Sequence, residues 1–168
     1  MKICTMLVGL PASGKSTHTS KASQEHFVYS TDAYIQAVAE KMGKTYNDLF
    51  TDTIKTAGEV CEMGLQKAVA DGKEVIWDQT NLGVKKRKKI INRMKQSGYT
   101  IDCHCFVPPQ TPAETFELNR RLNSRPGKNI PDNIMFNMTK SYVLPTLDEG
   151  FSSIIFYNIF GEIVDFVE

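Results

Sequence analysis

The residues most able to do chemistry lie near the start of the chain. Gly9-Leu10-Pro11-Ala12-Ser13-Gly14-Lys15-Ser16-Thr17 fits G-x-x-x-x-G-K-[ST], with an apolar run before it and a helix-forming run after it. Gly9 and Gly14 permit backbone angles that other residues resist. Successive N–H groups then converge into an anion nest at a helix N-terminus. Lys15 adds a point charge where β- and γ-phosphates would lie, and the Ser16 hydroxyl can ligate Mg²⁺. Gly9, Pro11, Ala12, Ser13, Gly14, Lys15, Ser16 and Thr17 are therefore expected to hold ATP with Mg²⁺. The motif alone does not separate kinase, GTPase and motor.

Further candidates follow other strand-like runs. Asp32, in Ser30-Thr31-Asp32, opens a helix. It reads either as an N-cap or as a general base taking the proton of an acceptor hydroxyl. Asp78 follows Val75-Ile76-Trp77, apolar then acidic, and is expected to hold the water shell of Mg²⁺ or to order the acceptor site. Gln79, Thr80 and Asn81 are expected to bond substrate, with a strand-end turn as the plainer reading. Arg121 and Arg125 flank a polar turn suited to a lid that brings charge to a transferring phosphoryl group, and Arg120 reads as a surface residue. Lys85, Lys86, Arg87, Lys88 and Lys89 form one dense basic run. It reads as a solvated helix face or as a polyanion contact, with Lys85 and Arg87 as the substrate-binding candidates.

The elements that position these residues are legible from periodicity. Apolar Ile3 to Val8 reads as a buried parallel strand. Helices are expected over Ser16 to about Gln24, Asp32 to Lys41, a long stretch capped by Asn47 or Thr51, Val84 to Gln96, Thr111 to Leu122 and Asp132 to Val143. The long helix should bury Ile54, Val60, Leu65 and Val69. Strands are expected at Phe27 to Ser30, Val75 to Asp78, Thr100 to Val107 and Ser153 to Tyr157, with an edge strand over Glu162 to Val167. Alternating strands and helices imply an α/β fold with a central, mostly parallel sheet covered on both faces. Ligands then sit at the carboxyl ends of its strands.

The 168 residues suit a single domain, 1–168, with a lid at about 120–131. Twenty basic against nineteen acidic residues give a net charge of +1, too little for coating a polyanion non-specifically, so any such contact must be local. Cys4, Cys61, Cys103 and Cys105 form no Cys-x-x-Cys pair and read as buried free thiols. No apolar run reaches the roughly twenty residues of a membrane span, and no leader pattern precedes the first strand. A cytoplasmic protein is expected, and one encoded by a phage and made in a bacterial host's cytoplasm would look the same.

Together GLPASGKST, STDAY, DQTNL and RLNSRPGKNIP followed by a helix, in this order, resemble the kinase domain of phage polynucleotide 5′-hydroxyl kinases and their P-loop relatives. The resemblance covers Lys2 to about Val143. It implies a P-loop NTPase-type three-layer sandwich with a helical lid. It also implies transfer of the γ-phosphoryl group of ATP to 5′-hydroxyl ends of DNA or RNA. Lys15 and Ser16 would take the phosphate and metal roles, Asp32 the base, Arg125 the catalytic lid arginine and Arg121 its partner at the nucleotide. Asp78 would lie on the acceptor side, with Gln79 as the alternative match there. Two departures stand out: Ile35 occupies a place where such kinases often carry an arginine, and Ala33 follows the base. A small-molecule kinase and a non-catalytic ATP-binding module are the competing readings. No membrane partner is expected, and the oligomeric state is left open.

Overall fold

A computed structural model describes residues 2–21 and 25–168. The strands are β1 (Lys2–Val8), β2 (His26–Tyr29), β3 (Glu74–Trp77), β4 (Tyr99–Phe106), β5 (Ser153–Tyr157) and β6 (Ile163–Val167). They form one sheet in the order β2-β3-β1-β4-β5-β6. β1 to β5 run parallel, and β6 pairs antiparallel with β5. This is the expected α/β, P-loop NTPase-type architecture. β1 lies between β3 and β4, so the loop that follows it is flanked by the ends of both neighbours.

The helices are α1 (Lys15–Thr19), α2 (Thr31–Met42), α3 (Tyr46–Ala70), α4 (Val84–Gln96), α5 (Pro112–Asn123) and α6 (Asp132–Lys140). The first helix is described only to Thr19, and residues 22–24 of its expected span lie outside the described residues. α3 starts earlier than expected. Thr45, not Asn47 or Thr51, is its N-cap, in a reciprocal capping box with Asp48 that satisfies two otherwise orphaned backbone donors. Its buried side is Ala57, Cys61, Leu65 and Ala68. Val60 is exposed, because one residue's shift of phase rotates it about 100° from the core.

The main core joins Cys4, Met6 and Val8 of β1 to their neighbours on β3 and β4, beneath Cys61 and Leu65 of α3 and Ile90, Ile91 and Met94 of α4. All four cysteines are buried and free. Burial pushes the Cys4 thiol up to about 12 and the Cys105 thiol up to about 11. The second face of the sheet is packed less closely than the first. In-register Thr5, Asp102 and Ser153, with Ile3, Thr100 and Ile155, point away from that core and remain half-buried. On this side the described part of α1 adds only His18, whose ring meets those of His104, Phe106 and Tyr157.

Candidate active site

The loop after β1 is built around two close approaches. A Cβ on Gly9 would lie 2.7 Å from Ser13 Oγ and 2.9 Å from Phe106 Cβ, so only hydrogen fits. Gly14 has φ +113°, and Ala12 sits at φ 63°, a left-handed value that strains a residue with a side chain by on the order of 1 kcal/mol. Lys15 folds back over the loop, its Nζ donating to the carbonyls of Gly9 at 2.8 Å and Leu10 at 2.7 Å. Burial pulls its pKa down to about 8, opposed by Asp78 and Asp32 and assisted by Arg125 and Lys128. These four charged groups, from the first turn of α2, the end of β3 and the turn after α5, therefore act on one ammonium.

Beside it lies a cleft of about 290 Å³ lined by Ala12, Gly14, Lys15, Ser16 and Thr17 and, from the end of α5 and the turn after it, Arg121, Ser124 and Arg125. Arg125 Nη1, on this cleft, and Ser13 Oγ, beside Gly9, are buried without a hydrogen-bond partner. Such groups are costly unless something meets them. The Gly9 cradle, the enclosed ammonium and an orphaned guanidinium N–H together fit a polyphosphate. Ser16, exposed on the cleft wall, can offer its hydroxyl to a divalent cation. Asp78 is half-buried at the end of β3. Burial raises its pKa and Asp32 adds to this, while Lys15 and a bond from Ser30 oppose it. A cation at the mouth of the loop would favour its charged form.

Asp32 is a second carboxylate acting on the Lys15 ammonium. The N-cap of α2 is Ser30, whose side chain accepts from Ala33 N–H, so Asp32 does not cap. Its side chain is 56% exposed. Tyr46 Oη donates to Asp32 Oδ1 at 2.7 Å and Lys128 Nζ donates to Oδ2 at 2.8 Å. Partial burial pushes the carboxyl's pKa up, but Lys128, Tyr46 and Arg125 outweigh it and the net direction is down. The carboxylate is therefore charged at neutral pH, as a proton acceptor must be.

A family profile described as an AAA domain matches residues 5–145 of the chain. The chain belongs to this AAA domain family. The family is P-loop and kinase-like, which implies nucleotide binding and, typically, Mg²⁺. Among solved structures, a chain of the PezAT chromosomal toxin-antitoxin system of Streptococcus pneumoniae is similar in fold. Its TM-score is 0.65 at 20% identity, over 99% of this chain and 71% of that one.

Within this AAA domain chain, several expected site residues have other tasks. Asn81 is completely buried and sits at φ 48°. Its Nδ2 donates to the carbonyl of Leu7 at 2.7 Å, while Gly9 N–H donates to the carbonyl of Thr80 at 3.0 Å. Asn81 and the Thr80 backbone thus pin the root of the phosphate loop. Gln79 accepts from the Trp77 indole at 3.4 Å. Arg87 is corrected most. It has no exposed surface. Its guanidinium forms a two-point pair with Glu149 at 2.8 and 2.6 Å and donates to the carbonyls of Asn81, Leu82 and Val143. It cannot reach a substrate. Lys85, by contrast, is exposed on the first turn of α4. Arg121 borders the cleft and pairs with Glu117 at 2.6 Å. Arg120 is an exposed partner of the same carboxylate, as expected.

Tyr46 and Lys128 escape the sequence reading, because their partner Asp32 lies 14 and 96 residues away. The available signal for Lys128 was its place beside Gly127 in the lid turn.

The Lys15 environment carries a pH prediction. The protonated ammonium is the form that attracts a triphosphate, and binding stabilises it. ATP affinity should therefore hold near pH 7 and weaken as pH rises through about 8, by roughly tenfold between pH 7 and 9. Calorimetric titration with Mg·ATP at both pH values checks this, and equal dissociation constants would contradict it.

Proposed function

We propose that this protein is an ATP-dependent phosphotransferase acting on a hydroxyl acceptor, and that the acceptor is the 5′-hydroxyl end of a polynucleotide. The observation that carries the phosphotransferase reading is the electrostatic coupling of the Lys15 ammonium to Asp32, Asp78 and Arg125, with Arg125 Nη1 buried and unpartnered. Lys15 and the loop N–H groups hold the β- and γ-phosphates. Ser16 and Asp78 are the residues that would hold Mg²⁺, which when bound would supply charge neutralisation at the phosphate oxygens. The acceptor oxygen bonds to the γ-phosphorus as the bond from that phosphorus to the leaving oxygen of ADP breaks. Asp32 takes the acceptor's proton, while Arg125, assisted by Arg121, meets the charge on the transferring group. Positioning and electrostatics supply the catalysis, so preformed geometry matters more than any single strong base.

Support for a polynucleotide comes from the order of the motifs and from the exposed Lys85, Lys86, Lys88 and Lys89 beside the loop after β3. The enclosure of Arg87 and the complete burial of Ile35 favour the second reading, a small-molecule kinase on the same scaffold. Incubation with γ-labelled ATP and Mg²⁺ against 5′-hydroxyl oligonucleotides, nucleosides and sugars decides between them. Label confined to the oligonucleotides supports the proposal, and label on a nucleoside or sugar alone overturns the polynucleotide assignment.

The lysine face carries its own prediction. Lys85→Ala with Lys86→Ala should raise KM for a 5′-hydroxyl oligonucleotide and lower its salt slope by about one to two, the contribution of one or two phosphate contacts. A KM that does not vary with salt in either protein points to a small acceptor.

A further inference from the structure

The turn between α5 and α6 reaches both halves of the site. Arg125 faces the phosphate cleft. Two residues later the chain docks on the start of α3. Asn47 N–H donates to the carbonyl of Gly127 at 3.0 Å, and Asn47 Nδ2 donates to that of Asn129 at 3.1 Å. Gly127 has φ +68°, and a Cβ there would lie 2.6 Å from Thr45 Cβ, so the turn seats flush against the α3 cap. This seating places Lys128 Nζ 4.1 Å above the centre of the Tyr46 ring and 2.8 Å from Asp32 Oδ2. Tyr46 Oη holds the other carboxylate oxygen.

From this geometry we infer that Lys128 and Tyr46 are positioning residues for the reaction: seating the lid turn on α3 delivers Lys128 to Asp32, fixing the orientation and the negative charge of the base. The inference rests on the reading of Asp32 as base. Each carboxylate oxygen spends one lone pair on a protein donor and keeps another for the acceptor hydroxyl. Lys128 also stacks on the Tyr46 ring, so the ammonium is held from two sides without sealing the carboxylate. The base is held in this orientation only while the turn carrying Arg125 is seated. One loop movement therefore readies the proton acceptor and supplies the guanidinium to the donor phosphates.

The charged and titratable groups facing Asp32 are Lys128 and Tyr46 in contact, with Arg125, Lys15 and Asp78 farther off. Of these, Lys128 gives the largest lowering of the carboxyl's pKa, and Tyr46 follows. The sign is fixed: a lowered pKa keeps Asp32 ionised to lower pH, and removing the ammonium moves its midpoint up.

The test uses the full chain with Lys128→Met, Lys128→Arg and Tyr46→Phe. Two quantities are read: the Asp32 carboxyl midpoint by carbon NMR, and the acid limb of kcat/KM with a 5′-hydroxyl oligonucleotide. Lys128→Met should raise the midpoint by about one unit, the scale for loss of an adjacent opposite charge, and carry the acid limb with it. Tyr46→Phe should move both the same way by less, and Lys128→Arg should restore most of the original values. KM for ATP should hold in all three. An unmoved midpoint in Lys128→Met, in a protein whose melting temperature is unchanged, overturns the inference. A midpoint that moves while the acid limb stays leaves Lys128 setting the charge of Asp32 and overturns instead the assignment of Asp32 as base.

Discussion

Asp32→Asn keeps ATP binding and lowers turnover by roughly a hundredfold or more, the usual contribution of a positioned base. A hundredfold is about 2.7 kcal/mol of transition-state stabilisation. The substitution preserves shape but removes the ability to take a proton. It also deprives Lys128 of its counter-charge while leaving the lining of the phosphate cleft in place. Rate should therefore fall in kcat, with the ATP dissociation constant close to that of the parent. In the parent, the lowered carboxyl pKa places the loss of activity at acid pH, as pH falls through a value below the ordinary carboxylate range. Full turnover in Asp32→Asn would refute the proton-acceptor role outright.

Arg87→Met has its large effect on stability. The guanidinium satisfies the Glu149 carboxylate and three main-chain carbonyls in a site with no water access to speak of, since Arg87 has no exposed surface and Glu149 is 7% exposed. Removing one partner of a buried pair strands the other charge, a loss of about 3–5 kcal/mol, or a melting shift on the order of 10 °C for a chain of this size. Adding Glu149→Leu should recover much of the stability, because an apolar replacement of the whole pair is often neutral. Urea unfolding of the single and double variants measures both. A single-variant loss under about 1 kcal/mol would mean that the buried pair contributes no more than a surface one.

Arg87 also shows where sequence reading failed and why. Five consecutive basic residues hide one that points inward. Arg87 lies three, four and seven residues before Ile90, Ile91 and Met94, which share its buried stripe. The helical period was visible and identified the inward side, but charge type outweighed position. The phosphate loop was legible because its chemistry lies in contiguous backbone, where glycine spacing alone dictates shape. Asp32 and Asp78 were legible because strand ends in a parallel sheet converge. Tyr46 and Lys128 were not, because no local rule pairs a helix start with a distant lid turn. The looser packing of the second sheet face was not legible, because strand alternation fixes topology and says little about how closely each face is packed.

The burial of all four thiols has a practical consequence. Cys4, Cys103 and Cys105 lie along the two central strands, and Cys61 on the helix above them. None presents a thiolate to solvent while the sheet and α3 stay together. A thiol-reactive dye would therefore label the molecule only when it opens, and a labelling time course would clock those openings with no reporter introduced. If labelling of Cys61 outpaces that of Cys4, α3 lifts away before the strands part.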